Sequence, residues 1–419
     1  MTSWLPRRPE RLAPLLLLAG LHLSVAAAAP PPGVCDIFLS GGAPCVAAFS
    51  LSRALFAAFD GPLYRVRNSA TNATRDVGVV SAGGIADVAA QERFCGAALC
   101  VVEAIYDQSP GANHLGREKG FSFLPPPRNS QDAGVNLTAQ SRVSLAGHPV
   151  YSAVFDSHCD VGSGRSCDGL QAGYSNRTAQ GTAVGDEPQT VYALFDGRHY
   201  NTGCCFEFGN AEKNETRLSG SMEAASVRIS CARQAQVGGG WRRWGAFRGA
   251  ILTHSRTRAP IASPRTAHNR SYYGCNDTHA PLPACETGPY VYSDLEHMHE
   301  MMPLPGFRPK FLQPVDFRLA LVKGEPGRLV LATADAQTDS ALETIFDGPY
   351  PANFTSKKQG GIVLGVGGDN SPWGSGTFYE GCMTRGFSSS EADAAVLANV
   401  VAARYARLAP REREETKAL

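Results

Sequence analysis

The sequence has almost no excess of charge, since 39 basic residues stand beside 38 acidic ones and the net charge at pH 7 is +1. Nucleic acid and anionic membranes are therefore not expected partners. After residue 29 no apolar run is long enough to cross a bilayer. The chain also lacks an internal repeat and a repeated Cys-x-x-Cys spacing, so its cysteines are not expected to form a zinc site. No other metal and no cofactor is expected either, for the reaction considered below.

The N-terminus has the composition of a secretory signal peptide. Arg7, Arg8 and Arg11 precede an apolar run from Leu12 to Val25, and the alanines at 26–29 supply small residues for cleavage. All twelve cysteines lie beyond residue 29, and an even number in an exported chain favours disulfides. We expect a secreted glycoprotein, whose sequons begin at Asn72, Asn136, Asn176, Asn214, Asn269, Asn276 and Asn353.

Glycine and proline are abundant, at 44 and 28 residues, and short strands such as Thr190–Phe195 alternate with turns. This pattern favours an all-β sandwich with a few short helices. The apolar spacing predicts helices over Val46–Phe59 and Ser390–Leu408. We predict a signal peptide at 1–29, one sandwich domain at 30–408 with an insertion at 231–286, and a disordered tail at 409–419.

Two stretches place carboxylates at the ends of predicted strands. In Gly361–Gly381, Asp369 follows the strand Ile362–Val366 and a glycine pair; its alternative role is to cap a hairpin turn. In Tyr290–Glu296, strand alternation puts Asp294 and Glu296 on one face and Leu295 in the core. These two could simply be solvated, but Glu296 and Asp369 across a cleft would form the carboxylate pair of a glycosidase.

Cys204 and Cys205 are adjacent in the sequence. Neighbouring cysteines can bond to each other only in a strained eight-membered ring, and most such pairs bond elsewhere. If these two do pair, the ring forms a rigid apolar knob that could pack on one face of a sugar. The alternation in Phe206-Glu-Phe208 places this knob at the end of a strand.

A series of ordered motifs runs along the chain: Cys35-Asp-Ile-Phe, Tyr106-Asp-Gln-Ser, Cys204-Cys-Phe-Glu-Phe-Gly-Asn-Ala-Glu212, Asp294-Leu-Glu296, Gly365-Val-Gly-Gly-Asp-Asn-Ser371 and Thr377-Phe-Tyr-Glu-Gly381. With these motifs the sequence resembles fungal α-L-arabinofuranosidase B, glycoside hydrolase family 54, over nearly the whole mature chain. The resemblance implies a concanavalin- or laminarinase-like sandwich (a jelly roll). It also implies a retaining exo-acting α-L-arabinofuranosidase that needs no cofactor, with an arabinose-containing carbohydrate as substrate and a monomeric state.

Site roles follow from the same resemblance. Glu296 takes the position of the nucleophile and Asp369 that of the general acid/base, while Asp294 accepts a sugar hydroxyl and the Gly368 backbone lies beside the sugar. Disulfides are implied for Cys35–Cys45, Cys95–Cys100 and the vicinal pair Cys204–Cys205, the last of them against the arabinose ring. Proximity alone suggests Cys159–Cys167 and Cys275–Cys285, which leaves Cys231 and Cys382 without an assigned partner.

Three departures from the family pattern affect these expectations. His297 follows the nucleophile where the family has Asn, and the 231–286 insertion replaces a loop with a substrate-stacking Trp, a role open to Trp241 or Trp244. We also expect no C-terminal arabinose-binding domain. The alternatives to the hydrolase are a lectin-like carbohydrate-binding protein on the same fold and a bifunctional enzyme that also cleaves β-xylosides.

Overall fold

The computed structural model describes residues 1, 30–118, 134–156, 159–160, 166–167, 173–200, 205–213, 223–228, 290–295, 312–350, 357–368, 370 and 374–408. The chain divides into two units, Met1–Pro31 and Pro32–Leu419. All helices and strands given below belong to the second unit. Among the described helices, none has the length and apolar character that a membrane crossing requires.

The described helices are α1 Val34–Ser40, α2 Val88–Cys95 and α3 Ser390–Ala403, with a 3-10 turn at Ala139–Ser141. The first strands are β1 Cys45–Ser50, β2 Pro62–Asn68, β3 Thr74–Gly78, β4 Cys100–Ile105, β5 Leu115–Arg117, β6 Asn136–Leu137, β7 Arg142–Leu145, β8 His148–Tyr151, β9 Ala153–Phe155, β10 Cys159–Asp160 and β11 Ser166–Cys167. They are followed by β12 Tyr174–Asn176, β13 Gln189–Tyr200, β14 Phe208–Ala211, β15 Glu223–Arg228, β16 Tyr290–Asp294, β17 Phe317–Glu325, β18 Arg328–Asp335, β19 Glu343–Gly348, β20 Gly361–Leu364, β21 Gly376–Arg385 and β22 Tyr405–Arg407.

Two antiparallel sheets form the main layers. The first has the order β1-β21-β13-β17-β18-β19, with β9 also paired to β21. The second has the order β16-β15-β14-β20-β12-β5-β4-β2-β3, with β6 also paired to β4. Smaller sheets are formed by β22-β7-β8 and by β10-β11. Hairpin pairs such as β17-β18 alternate with pairs of strands distant in sequence, such as β1-β21 and β14-β20, as expected for a sandwich.

Aromatic side chains join the two large sheets. Phe208 on β14 lies 5.1 Å from Phe378 on β21 and 6.0 Å from Phe49 on β1, measured between ring centroids. Phe155 on β9 similarly meets Tyr174 on β12 at 6.2 Å. All five rings are fully buried. The all-β sandwich with short helices is therefore confirmed, and its jelly-roll designation stays a prediction.

The predicted helix over Val46–Phe59 is wrong, because the chain here forms β1 and then a loop. Ala47 and Ala48 are both fully buried although strand geometry points them to opposite faces. The other large sheet covers one face of β1, and α1 is fastened to the strand through the Cys35–Cys45 disulfide. A strand covered on both faces gives a continuous apolar run, which periodicity cannot distinguish from a buried helix.

The predicted helix over Ser390–Leu408 is confirmed as α3, but it ends at Ala403. Arg404 then takes a left-handed conformation with φ 53°, and Tyr405 begins β22. Ser389 starts the helix, since its side chain accepts a hydrogen bond from the Ala392 N–H.

Two disulfides implied by the family resemblance are present, Cys35–Cys45 and Cys95–Cys100. Cys382 is a free, buried thiol whose sulfur lies within 4.8 Å of both sulfurs of the first disulfide. Burial raises the pKa of this thiol well above 9.0. In the β10-β11 pair, Cys159 stands directly opposite Cys167 in the backbone register, a separation suited to a disulfide, which stays a prediction.

Candidate active site at one edge of the larger sheet

Three of the sequence-predicted site segments leave the larger sheet at the same edge. Asp294, the last residue of β16, pairs with Ala224 on β15, and Ala224 pairs with Gly209 on β14. Gly209 in turn pairs with Val363, next to the end of β20. Because these strands are antiparallel, the end of β16, the start of β14 and the end of β20 lie in one row. Cys205, Asp294 and the Gly365–Gly368 segment therefore lie at one edge.

Asp294 is buried, with 2% of its surface exposed, and its Oδ2 lies 3.8 Å from the Cys205 sulfur. Cys205 is disulfide-bonded, so this sulfur has no S–H to donate and the contact is a packing contact. Leu295, the next residue, is fully buried in the hydrophobic core. The predicted burial of Leu295 in the core is confirmed, and the assignment of Asp294 to the site face stays a prediction.

Glu207 is a site residue that the sequence analysis did not select. Its carboxylate is fully buried and accepts a hydrogen bond of 2.9 Å from the Tyr292 hydroxyl. Oxygens of Glu207 and Asp294 lie within 4.8 Å of each other and of the Cys205 sulfur. Because that sulfur is oxidised it is not a thiolate ligand, so the cluster is poorly suited to a metal ion. Its acceptor oxygens suit hydroxyl donors instead.

The backbone after β20 is tied to the Cys205 segment. Gly365, with φ 83°, donates its N–H to the Glu207 carbonyl oxygen at 2.8 Å. A side chain at Gly365 would collide with the Phe155 ring, since an added Cβ would stand 2.1 Å from it. Further on, the Asn370 N–H donates to the Gly367 carbonyl oxygen at 3.0 Å and closes a turn. The glycine-rich segment is thus fixed against Glu207.

Arg177 is a second residue that the sequence analysis did not select for the site. It follows β12, which pairs with β20, and its guanidinium donates to the Gly368 carbonyl oxygen at 2.8 Å and to the Asn370 Oδ1 at 2.5 Å. The sequence shows Arg177 only as the middle residue of the Asn176 sequon. No local pattern indicates its contact with a loop 191 residues away.

Several predicted site residues lie outside the described residues: Glu296, Asp369, His297, Cys204, Trp241 and Trp244. The described members of the predicted set are Asp294, Cys205 and Gly368, and the sheet register brings their segments to one edge. The remaining roles stay predictions that rest on sequence position. Glu296 is two residues beyond Asp294, and Asp369 stands between Gly368 and Asn370.

The described residues form a large antiparallel sandwich with buried acceptor oxygens and a glycine-rich turn at one edge of the larger sheet. The model of the family described as "Alpha-L-arabinofuranosidase B, catalytic" matches residues 34–245 and 265–406. The chain belongs to this family.

Individual relatives agree with this assignment. The chain is 36% identical over 389 residues to the "Probable alpha-L-arabinofuranosidase B" of Aspergillus terreus, covering 89% of this chain and 62% of the relative. It is also 36% identical over 382 residues to the "Arabinofuranosidase/B-xylosidase" of Trichoderma koningii, covering 89% and 63%. The chain thus spans about three fifths of the length of these relatives.

A solved structure is similar over most of the chain. It is an arabinofuranosidase in complex with arabinofuranosyl-α-1,2-xylobiose, with a TM-score of 0.68 and 32% sequence identity. The match covers 90% of this chain and 66% of that one. At this identity and TM-score the two proteins share the sandwich fold.

Proposed function

We propose that the chain is a secreted, retaining, exo-acting α-L-arabinofuranosidase that releases terminal L-arabinofuranose from polysaccharides or glycoconjugates. The observation that carries the proposal is the sheet register that places Asp294, Cys205 and Gly368 at one edge. Membership of the α-L-arabinofuranosidase B catalytic family supports the same reaction. The signal-like N-terminus, the sequons and the Cys35–Cys45 and Cys95–Cys100 disulfides support secretion.

The reaction proceeds in two displacements. The Glu296 carboxylate forms a bond to the anomeric carbon while the glycosidic C–O bond breaks and Asp369 gives its proton to the departing oxygen. Water then attacks the anomeric carbon and gives a proton to Asp369, and the ester bond to Glu296 breaks. Each cycle consumes one water, and the configuration is retained. The mechanism requires the two carboxyl groups about 5–5.5 Å apart.

Buried acceptors in the site suit a small polyol. The Asp294 carboxylate accepts a hydrogen bond from a hydroxyl of the arabinofuranose, and the Gly368 backbone lies beside the ring. The disulfide of Cys205, which we propose to be vicinal with Cys204, packs against the ring, and the contact between its sulfur and Asp294 supports this placement. His297 and Trp241 or Trp244 complete the substrate contacts.

A second activity towards β-D-xylosides is favoured by one observation, the relative from Trichoderma koningii that is described as an arabinofuranosidase and β-xylosidase. The hydroxyl arrangement of a β-D-xyloside partly matches that of an α-L-arabinofuranoside. The same carboxylate pair would act on both substrates.

The test is hydrolysis of 4-nitrophenyl α-L-arabinofuranoside and 4-nitrophenyl β-D-xylopyranoside by the secreted protein, with the first-formed sugar anomer followed by NMR. We expect nitrophenol release from the arabinofuranoside and α-L-arabinofuranose as the first product. A β product would contradict the retaining mechanism. Calorimetric binding of L-arabinose without any turnover would identify a lectin-like protein instead.

Gly374 offers a test of the contact that fixes Cys205. A Cβ at this position would stand 2.2 Å from the Phe206 backbone nitrogen and 2.3 Å from the Cys205 carbonyl carbon, so the Cys205 segment must move. Because displacements of about 1 Å can cost on the order of 10²-fold in rate, we expect Gly374→Ala to lower kcat/KM by about that factor. Gly116→Ala, where an added Cβ meets nothing within 4 Å, is the matched control. Equal activity of the two variants would show that Cys205 need not be held there.

A further inference from the structure

The guanidinium of Arg177 donates hydrogen bonds to both sequence neighbours of residue 369, Gly368 and Asn370. Its Nη1 donates to the Gly368 carbonyl oxygen at 2.8 Å, and its Nη2 donates to the Asn370 Oδ1 at 2.5 Å. The side chain is only 13% exposed. Residue 369 stands between these two residues in the sequence, so a single guanidinium binds both of its neighbours.

The guanidinium is itself anchored to the sheet. Nη1 also donates to the Glu212 carbonyl oxygen at 2.9 Å, directly after β14, and Nη2 lies 3.4 Å from the buried Glu118 carboxylate, directly after β5. The planar fork of arginine presents several donors in fixed directions, so these anchors determine where the bonds to Gly368 and Asn370 point. The position of the turn is therefore fixed relative to the ends of β14 and β5.

The turn contains a residue with a left-handed backbone. Asn370 has φ 65°, a region that is uncommon for residues other than glycine and in which asparagine is found more often than most. Its N–H donates to the Gly367 carbonyl oxygen at 3.0 Å, which joins the two ends of this turn. Conformations of this kind persist where the surrounding contacts over-determine them, and they cluster at functional sites. Arg177 supplies two of those contacts.

We propose that Arg177 is a positioning residue for the acid step of the reaction, because it holds Gly368 and Asn370, the two sequence neighbours of Asp369. The inference rests on the proposed function, in which Asp369 is the general acid/base. A general acid must come within about 2.6–3.2 Å of the oxygen that it protonates. If Gly368 and Asn370 are free to shift, we expect the acid step to be impaired more than the nucleophilic step, because Glu296 follows β16 in the sequence and does not belong to this turn.

If Arg177 supports only the acid step, the loss of activity on replacing it should depend on the leaving group of the substrate. Nitrophenolate departs with little help from an acid, whereas the hydroxyl of a xylo-oligosaccharide requires protonation. General acid catalysis contributes roughly 10²–10⁴-fold. For Arg177→Met we therefore expect kcat/KM on an arabinofuranosyl xylo-oligosaccharide to fall on the order of 10²-fold, and the loss on 4-nitrophenyl α-L-arabinofuranoside to stay below about tenfold.

Arg142 provides a matched control. It is also a buried arginine, 5% exposed in its side chain, and its Nη2 lies 3.1 Å from Glu92. It lies on β7 in the small β22-β7-β8 sheet. Arg142→Met therefore reports the cost of removing a buried arginine in general. Arg177→Lys keeps the charge and one donor group, and we expect it to recover part of the oligosaccharide activity. Substitutions at 177 also keep the Asn176 sequon.

Hydrogen exchange measures the turn without relying on activity. We expect the peptide over 365–370 to exchange about tenfold faster or more in Arg177→Met than in the unmodified protein, with Arg142→Met unchanged there. Faster exchange together with a leaving-group-selective loss supports the proposal. Unchanged exchange, or equal losses on both substrates that Arg142→Met reproduces, overturns it. Should the unmodified protein hydrolyse neither substrate, the proposed function fails, and the exchange result still decides whether Arg177 holds the turn.

Discussion

Replacing Glu296 by alanine is expected to lower kcat/KM on 4-nitrophenyl α-L-arabinofuranoside by at least about 10⁴-fold, because the glycosyl-enzyme bond can no longer form. Asp369→Ala is expected to lose about 10²–10⁴-fold on substrates with poor leaving groups, since only the proton transfer is removed. Steady-state kinetics on both substrate types separate the two roles. The two variants therefore test the nucleophile and the acid independently.

Added azide distinguishes the proposed nucleophile, Glu296, from the proposed acid/base, Asp369. Azide can enter the space left in Glu296→Ala and attack the anomeric carbon directly, which gives the inverted β-azide. In Asp369→Ala azide attacks the glycosyl-enzyme without needing a base, which gives the retained α-azide. NMR of the product distinguishes these outcomes. Asp347→Ala, at an exposed position of strand β19, is the control and should keep full activity. Substantial turnover by Glu296→Ala without azide would contradict the nucleophile assignment.

A second large effect is expected for stability at the buried pair Arg53–Glu380. The fully buried Glu380 carboxylate accepts two hydrogen bonds of 2.6 Å from Arg53, and further bonds from the hydroxyls of Tyr192 at 2.8 Å and Tyr405 at 2.7 Å. Glu380→Gln leaves the Arg53 charge without its counter-ion. Removing one partner of a buried pair costs roughly 3–5 kcal/mol, so we expect urea unfolding to show a loss of that size.

The control is Asp76→Asn, which removes an ion pair with Arg65 whose side chains are 44% and 42% exposed. Such surface pairs contribute about 1 kcal/mol or less. A double variant, Arg53→Met with Glu380→Leu, should recover much of the stability, because it leaves no charge unpaired. If Glu380→Gln unfolds no more easily than Asp76→Asn, the buried pair does not stabilise the fold as argued.

The same pair makes stability depend on pH. Burial alone would raise the pKa of Glu380, but the charge and hydrogen bonds of Arg53 outweigh it, and the pKa lies below the ordinary value of 4.5. The unfolded chain therefore binds a proton before the folded one as the pH falls. The contribution of Glu380 is complete above about pH 4.5 and declines as the pH falls towards the lowered native pKa. Glu380→Gln should lose this part of the acid sensitivity.

Alternation was informative where one face of a strand meets the site and the other meets the core. In the β16 stretch, the sequence alone assigned Asp294 and Leu295 to opposite faces, and the burial of Leu295 in the core agrees. Alternation did not identify β1 as a strand, because both faces of β1 are covered by other parts of the protein and Ala47 and Ala48 are both buried. The apolar residues of this continuous buried run also occur at helical spacing, which led to the wrong prediction of a helix.

The site could be predicted only where local sequence carries the signal. Asp294, Cys205 and Gly368 stand in short motifs, and the antiparallel register unites their segments. Arg177 and Glu207 act through contacts made across the sheet. Arg177 reaches Gly368 over 191 residues of chain, and Glu207 is held by Tyr292, 85 residues away. Contacts between residues so far apart in the sequence depend on the fold, so no local sequence pattern predicts them.

The free, buried thiol of Cys382 can be used to detect unfolding of the sandwich. The thiol is buried, and its raised pKa keeps it protonated, so alkylating reagents find neither access nor a thiolate. Cys382 lies on β21, the central partner of β1, β9 and β13. A reagent that labels this position therefore marks molecules in which the middle of the sandwich has come apart, and peptide mapping can count them in any preparation.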